Sequence, residues 1–316
     1  MIIKDIVYGT NKIEEPIILE LIKQPEIQRL KRITNYGVPK KYYFSEWPDF
    51  SRYEHSIGVM ILLKKLGAST EEQIAGLLHD ISTPALAHVA DWVLGNGKTG
   101  DESYHDNLHK IVVDRSKISG ILKKYGFDAR EILNFDSFLL LERPTPKLCA
   151  DRIDYSLRQF KYYKNPEIVE GCLNNLSVEN GEIVFNDQIS ASQFANNYLE
   201  CQVEHWGSEK VVKKYYNFSK ILKYALDKNI ICKEDFFQND DTIINKLEKS
   251  NNKKIKELLI KLQKHENVDS KKEKVYKKFR HVDPAIKGGK VLSSIDKKFA
   301  SKLKHYKELS SKGMEI

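Results

Sequence analysis

The stretch GLLHDISTPALAHVADW, residues 76–92, sets His79, Asp80, His88 and Asp91 inside an otherwise apolar run. Ionisable side chains among apolar neighbours are costly to bury unless a hydrogen bond, a countercharge or a metal compensates them. A fold containing this stretch must therefore wrap helices around a polar centre. The flanking pattern agrees: IILELIKQ, PEIQRLKRITNYG and HSIGVMILLKKLG carry apolar residues at helical spacing.

Helices are expected from Pro16, from Pro25 to a stop at Gly37, from about His55 to Leu66, and from TEEQIAGLLHD. Ser69 or Thr70 would cap the last of these, with Glu72 or Gln73 completing a capping box. Thr83-Pro84 is read as restarting a helix that runs to Val93, since Pro suits the first helical position. Two hairpins are expected, one over 3–14 turning at Gly9-Thr10-Asn11 and one over 176–185 turning at Asn180-Gly181. GNGKTGDES is read as a flexible loop, 190–226 as helical, and 246–280 as Lys-rich helix broken by VDPAIKGG, with Gly288-Gly289 as a turn. The chain is read as mainly α, with a core over 1–235 and a basic helical C-terminal subdomain over 236–316.

Charge sharpens that division. The whole chain carries +8, yet the segment from Lys246 onward holds 21 Lys and Arg against 9 Asp and Glu. Cys149, Cys172, Cys201 and Cys232 form no CxxC pair, and are expected as free thiols rather than disulfides or a thiolate zinc site. No apolar run approaches a membrane span, and the start lacks a signal-peptide core, so a cytoplasmic protein with no membrane partner is expected.

His55 in SRYEHSIGV, the His79-Asp80 pair, and DRIDYSLR form an ordered set. Asp151, Asp154, Tyr155 and Arg158 share one helical face. Two imidazoles and two carboxylates suit a divalent ion such as Mn, Fe, Ni, Co, Mg or Zn, with open positions for water and a phosphate oxygen. Spacing alone leaves Asp151 and Asp154 both open as the second carboxylate.

These blocks, together with QPEIQRLKRITNYG and YHDNLH, make the chain resemble the HD-superfamily phosphohydrolases, in the branch of the deoxynucleoside triphosphate triphosphohydrolases. The resemblance implies a helical HD-domain fold and metal ligands at His55, His79, Asp80 and Asp151. It further implies phosphate contacts at Arg52 and at Arg152, which replaces the family's usual lysine. It places Asn35, Tyr36 and Tyr155 at the nucleotide pocket, and His88 with Asp91, and His105, around the scissile phosphate. A homo-oligomer is implied as well.

The chain departs from that pattern at Thr83, where the family carries a histidine; threonine is neither a base near pH 7 nor a cation. Asn35-Tyr36 stands for Gln-Leu, Gln159 for a sugar-binding aspartate, and Lys23 for an acidic residue tied to nucleotide activation. The expected activity is therefore a metal-dependent phosphohydrolase on a nucleotide or related phosphate ester. The alternatives are a nuclease or phosphodiesterase that docks RNA or single-stranded DNA through the basic tail, or a non-catalytic nucleotide-binding regulator. The Lys-rich stretch itself reads more simply as a solvated helix face.

Overall fold

The computed structural model describes residues 1–42, 49–101, 108–163, 166–268 and 272–316. It is mainly helical, as expected. The central pair of helices is Arg52–Lys65 and Thr70–Leu78, and both are buried on nearly every side. Their composition explains this: MILL and IAGLL leave no polar stripe, and a helix apolar all round belongs inside. Ser51 opens the first with a capping box closed by Glu54, so it begins at Arg52 and His55 lies one turn inside rather than at its start. Ser69 caps the second, but Glu72 closes no box. Its carboxylate instead accepts from the backbone N–H groups of Leu140 (2.7 Å) and Leu141 (3.0 Å).

The helix Ala150–Tyr163 packs against Arg52–Lys65. Gly58 makes the approach possible, because a Cβ there would sit 2.0 Å from Arg158 Nη2 and 2.1 Å from Asp154 Oδ1. One hydrophobic core surrounds these helices and takes in Ile17, Ile18, Phe160, Phe194 and Tyr198.

Several elements differ from expectation for identifiable reasons. The first hairpin pairs Ile2–Asp5 with Gly9–Lys12, and it turns at residues 6–8 because the Asp5 carboxylate accepts from the N–H groups of Val7 and Tyr8. Pro84 starts no helix. The backbone passes through Leu86 and Ala87 with φ of 65° and 40°, and the helix begins at Ala87. Asp240 holds that turn by accepting from Leu86 N at 2.7 Å, and Gly37 leaves room for it, since a Cβ there would meet Leu86 O at 2.4 Å. Residues 190–226 are helical as expected, in two segments, Gln188–Cys201 and Glu209–Asp227, joined through a wide turn at Gln202–Trp206.

The Lys-rich region forms Asp240–Lys249 and Lys253–Gln263, then leaves helical structure before 280. Both helices turn Ile243, Leu247, Ile255 and Leu262 into a second core, shared with Ala85, Val89 and Trp92 and with the Glu209–Asp227 helix. Gly288-Gly289 is a turn, but its flanks extend the second hairpin: Ala285–Ile286 pairs with Glu182–Phe185 and then with Lys290–Val291. The second hairpin itself turns at Asn180-Gly181 as expected. The described part of the 95–103 loop is tied down, with Thr99 bridged to Tyr276. All four cysteines are free. No described helix is long and apolar enough to cross a membrane.

Candidate metal centre and the cavity around it

His55 is buried and uses both ring nitrogens. Its Nδ1 lies 2.7 Å from Asp154 Oδ2 and its Nε2 lies 2.9 Å from Asp151 Oδ1. His79 ends the Thr70–Leu78 helix, and its Nδ1 donates to the Gly76 carbonyl at 2.8 Å. A carbonyl can only accept, so Nδ1 of His79 carries the proton; the Asp154 carboxylate fixes the same tautomer on His55. With an ion bound, each Nε2 would thus present a lone pair, and the two lie 3.2 Å apart; without one, the Nε2–H of His55 donates to Asp151. Asp80 Oδ2 is 3.8 Å from both of them, and Asp151 Oδ1 is 3.4 Å from His79 Nε2. Lone pairs of two imidazoles and two carboxylates pointing at one centre repel unless positive charge sits among them. The spacings match neighbouring ligand atoms around an ion with bonds of about 2.1 Å. The donor set fits a divalent cation.

Electrostatics says the same. Burial opposes charge on His55, but its hydrogen bonds to Asp151 and Asp154 outweigh burial and hold its pKa up at about 9. His79 is raised as well, burial being outweighed by Asp80 and Asp151. Asp151 is held well below the carboxylate range, since the two histidines more than offset its burial. The centre calls for cationic charge, and a divalent ion supplies it.

Behind this cluster runs a buried relay. Asp154 accepts from Arg158 Nε at 2.8 Å, and Arg158 Nη2 reaches Asp5 of the first hairpin at 2.6 Å. Asp154 therefore supports His55 from outside the cluster, while Asp151, one turn earlier, faces into it.

The cluster opens into a cavity of about 510 Å³, lined by Asn35, Tyr36, Arg52, His79, Asp80, His88, Asp151, Arg152 and Tyr155 among others. Arg52 donates to Asp80 Oδ2 at 2.9 Å, and its Nε has no hydrogen-bond partner among the described residues. Arg152 reaches the Arg143 carbonyl (3.1 Å) and the Glu142 carboxylate (3.5 Å). Burial, reinforced by Asp151, lifts Glu142 to about 7. Thr83 donates its hydroxyl to Asp80 Oδ1 at 3.0 Å, so it positions a cluster residue where the family pattern has a histidine. His88 lines the cavity with Nδ1 3.1 Å from the buried Asp91. Tyr36 donates to Gln159 Oε1 at 2.7 Å, so the two substituted positions satisfy each other. His105 lies outside the described residues.

Other lining residues escaped the sequence reading. His109 and Glu142 border the cluster side, and His205, Trp206 and Tyr215 add rings, with Trp206 edge-on to Tyr155 at 5.4 Å. Lys277, Lys278 and Arg280 arrive from the basic C-terminal region. His109 stood inside the YHDNLH block; no spacing signal marked the rest.

Residues 52–156 match the HD domain family. The Bacillus subtilis protein YdhJ is 38% identical over 296 residues, covering 90% of this chain and 88% of that protein. The metal-dependent phosphohydrolase cns2 of Cordyceps militaris is 40% identical over 159 residues, half of this chain and 44% of its own length. The crystal structure of a phosphohydrolase from Bacteroides thetaiotaomicron has the same fold, with a TM-score of 0.61 at 18% identity over 83% of this chain and 76% of that one. The convergent His/Asp cluster and these likenesses agree: the chain belongs to the HD superfamily of metal-dependent phosphohydrolases.

Proposed function

We propose that the substrate is a nucleotide and that a phosphoester or phosphoanhydride bond of it is hydrolysed at the His55, His79, Asp80 and Asp151 cluster. One observation carries this reading. A single cavity joins the His/Asp cluster, the guanidiniums of Arg52 and Arg152, and a wall of rings from Tyr36, Tyr155, His205, Trp206 and Tyr215. Phosphate recognition and a stacking surface for a base are thereby contiguous.

A divalent ion bound by the cluster would polarise a phosphoryl oxygen and acidify a water. Arg52 lines the cavity beside that centre, its guanidinium held by Asp80, and its charge suits a non-bridging phosphate oxygen. Arg152 lines the next wall with Nη1 and Nη2 engaged by Lys147, Cys149, Glu142 and Arg143, so it contributes fixed positive charge there. His88 is the candidate acid: Asp91 lies 3.1 Å from its Nδ1 and the ring lines the cavity, in position to pass a proton to the leaving oxygen. Thr83 cannot take that role and instead keeps Asp80 in place.

The test is product analysis over a nucleotide panel with Mn²⁺, Co²⁺, Ni²⁺ and Mg²⁺. Turnover should fall by at least ~10³-fold when His79→Ala and Asp80→Ala are combined, in line with the several kcal/mol of transition-state stabilisation a metal provides. Undiminished hydrolysis in that double variant would sink the assignment.

A further inference from the structure

The strands of the first hairpin are exposed or half-buried at every position. One charged side chain nevertheless goes inward from them: the Asp5 carboxylate is only 4% exposed. It is held from two sides. Its Oδ1 accepts from the N–H groups of Val7 (2.8 Å) and Tyr8 (3.0 Å), and its Oδ2 accepts from Arg158 Nη2 at 2.6 Å. Asp5 pairs with Gly9, the last pair before the turn, so strand register and turn together aim the carboxylate.

Arg158 is in turn shared between two carboxylates. Its Nε donates to Asp154 Oδ2 at 2.8 Å, and the Nη2 that meets Asp5 also lies 3.2 Å from Asp154 Oδ1. The guanidinium is confined on its other sides. A Cβ on residue 58 would sit 2.0 Å from Nη2, and the centre of the Phe50 ring lies 5.9 Å from Cζ. Asp154 Oδ2 is also the atom that holds His55 Nδ1, at 2.7 Å. A buried row of alternating charge therefore leads from the hairpin through Arg158 and Asp154 to His55. Such a row is costly to desolvate, and apolar side chains of similar volume are often at least as stable. Stability gives little reason for charge at these positions; orientation gives a direct one.

We infer that Asp5 is a positioning residue of the metal centre: it holds Arg158 against Asp154, and through Asp154 it sets the ring of His55. Without Asp5 the guanidinium would lose one of its two anions and swing from Asp154. The carboxylate could then rotate, and His55 would lose its fixed tautomer and direction. The hairpin is thus part of the site, although none of the described lining residues belongs to it. The role concerns the ion and is independent of the substrate.

Chelator competition for Mn²⁺ on the full chain reads this role without turnover. Asp5→Asn keeps an oxygen for the turn N–H groups and removes the charge that faces Arg158. Arg158→Lys leaves net charge unchanged but lacks the fork that spans both carboxylates, so it separates geometry from charge. Each should weaken Mn²⁺ about tenfold, the lower end of the loss for partners that orient a ligand from outside. The absorption bands of the Co²⁺-loaded protein should shift in both, as a re-aimed His55 requires and a mere loss of stability does not. On an Asp154→Asn background neither substitution should weaken Mn²⁺ further. Urea denaturation certifies the fold, and Arg158→Lys decides alone if Asp5→Asn does not fold. Wild-type affinity or an unshifted Co²⁺ spectrum in a folded variant overturns the role. A full further loss on the Asp154→Asn background overturns it too, because Asp5 would then act by another route.

Discussion

Two aspartates three positions apart show how differently one helix can use the same residue. Asp151 points into the cluster, while Asp154 stands behind His55 and receives Arg158. Burial pushes Asp154 up, but Arg158 and His55 outweigh it and keep it ionised. Asp154→Asn should therefore lower metal affinity by about 10–100-fold through loss of the tautomer and ring orientation of His55. Gly58→Ala should reach the same end by steric means, since its Cβ would force Arg158 and Asp154 aside. Overpacking of this kind costs about 1–3 kcal/mol. Chelator competition and urea denaturation measure the two effects; metal affinity unchanged in both variants would remove Asp154 from its supporting role. The sequence placed both aspartates on one helical face, but spacing could not divide the work between them. That division depends on which side of His55 each carboxylate meets.

Among the elements, the turn before the Ala87–Leu94 helix was the least readable. Thr83-Pro84 has the grammar of a helix start, yet the helix begins three residues past the proline. The cause is Asp240, 154 residues away, which bonds Leu86 N and also accepts from Thr34 N at 2.9 Å. Residues such as leucine and alanine enter positive φ at a cost of about 1–3 kcal/mol each, and the carboxylate offsets it. Burial lifts the pKa of Asp240 to about 7. The folded state thus keeps a proton that the unfolded chain, titrating near ~3.9, has already released. Stability contributed by this group is full at low pH and declines as pH rises from about 4 to about 7. Asp240→Asn should remove that part of the slope in urea midpoints measured across the window; an unaltered slope would mean that Asp240 is ionised throughout. Capping at Ser69 was more legible, because it acts over three residues, although the box at Ser51 went unread. Glu72 misled for the opposite reason: its partners, Leu140 and Leu141, lie in a loop far along the chain.

Across the whole molecule, the C-terminal third completes what the first third begins. Ile243, Leu247, Ile255 and Leu262 cover Ala85, Val89 and Trp92, in and just before the helix that carries His88. The lysines of these helices remain outside, as their spacing indicated, while the segment just after them turns inward to the cavity. Composition could show that this region is basic. It could not show which lysines meet the cavity, because that depends on the pairing of Val275 with Met314 and on the hold of Tyr276 on Lys98.

The two opposed imidazole lone pairs also make the folding equilibrium a function of dissolved metal. An ion that binds only the native arrangement adds RT ln(1 + [M]/Kd) to stability, about 2.7 kcal/mol at a hundredfold excess over Kd. Melting temperature should climb with the logarithm of free Mn²⁺, Ni²⁺ or Co²⁺ and drop on chelation, while the His79→Ala, Asp80→Ala double variant stays flat. Ranked by that climb, the ions report their own affinities, and a thermal scan becomes an assay for the native metal before any substrate is known.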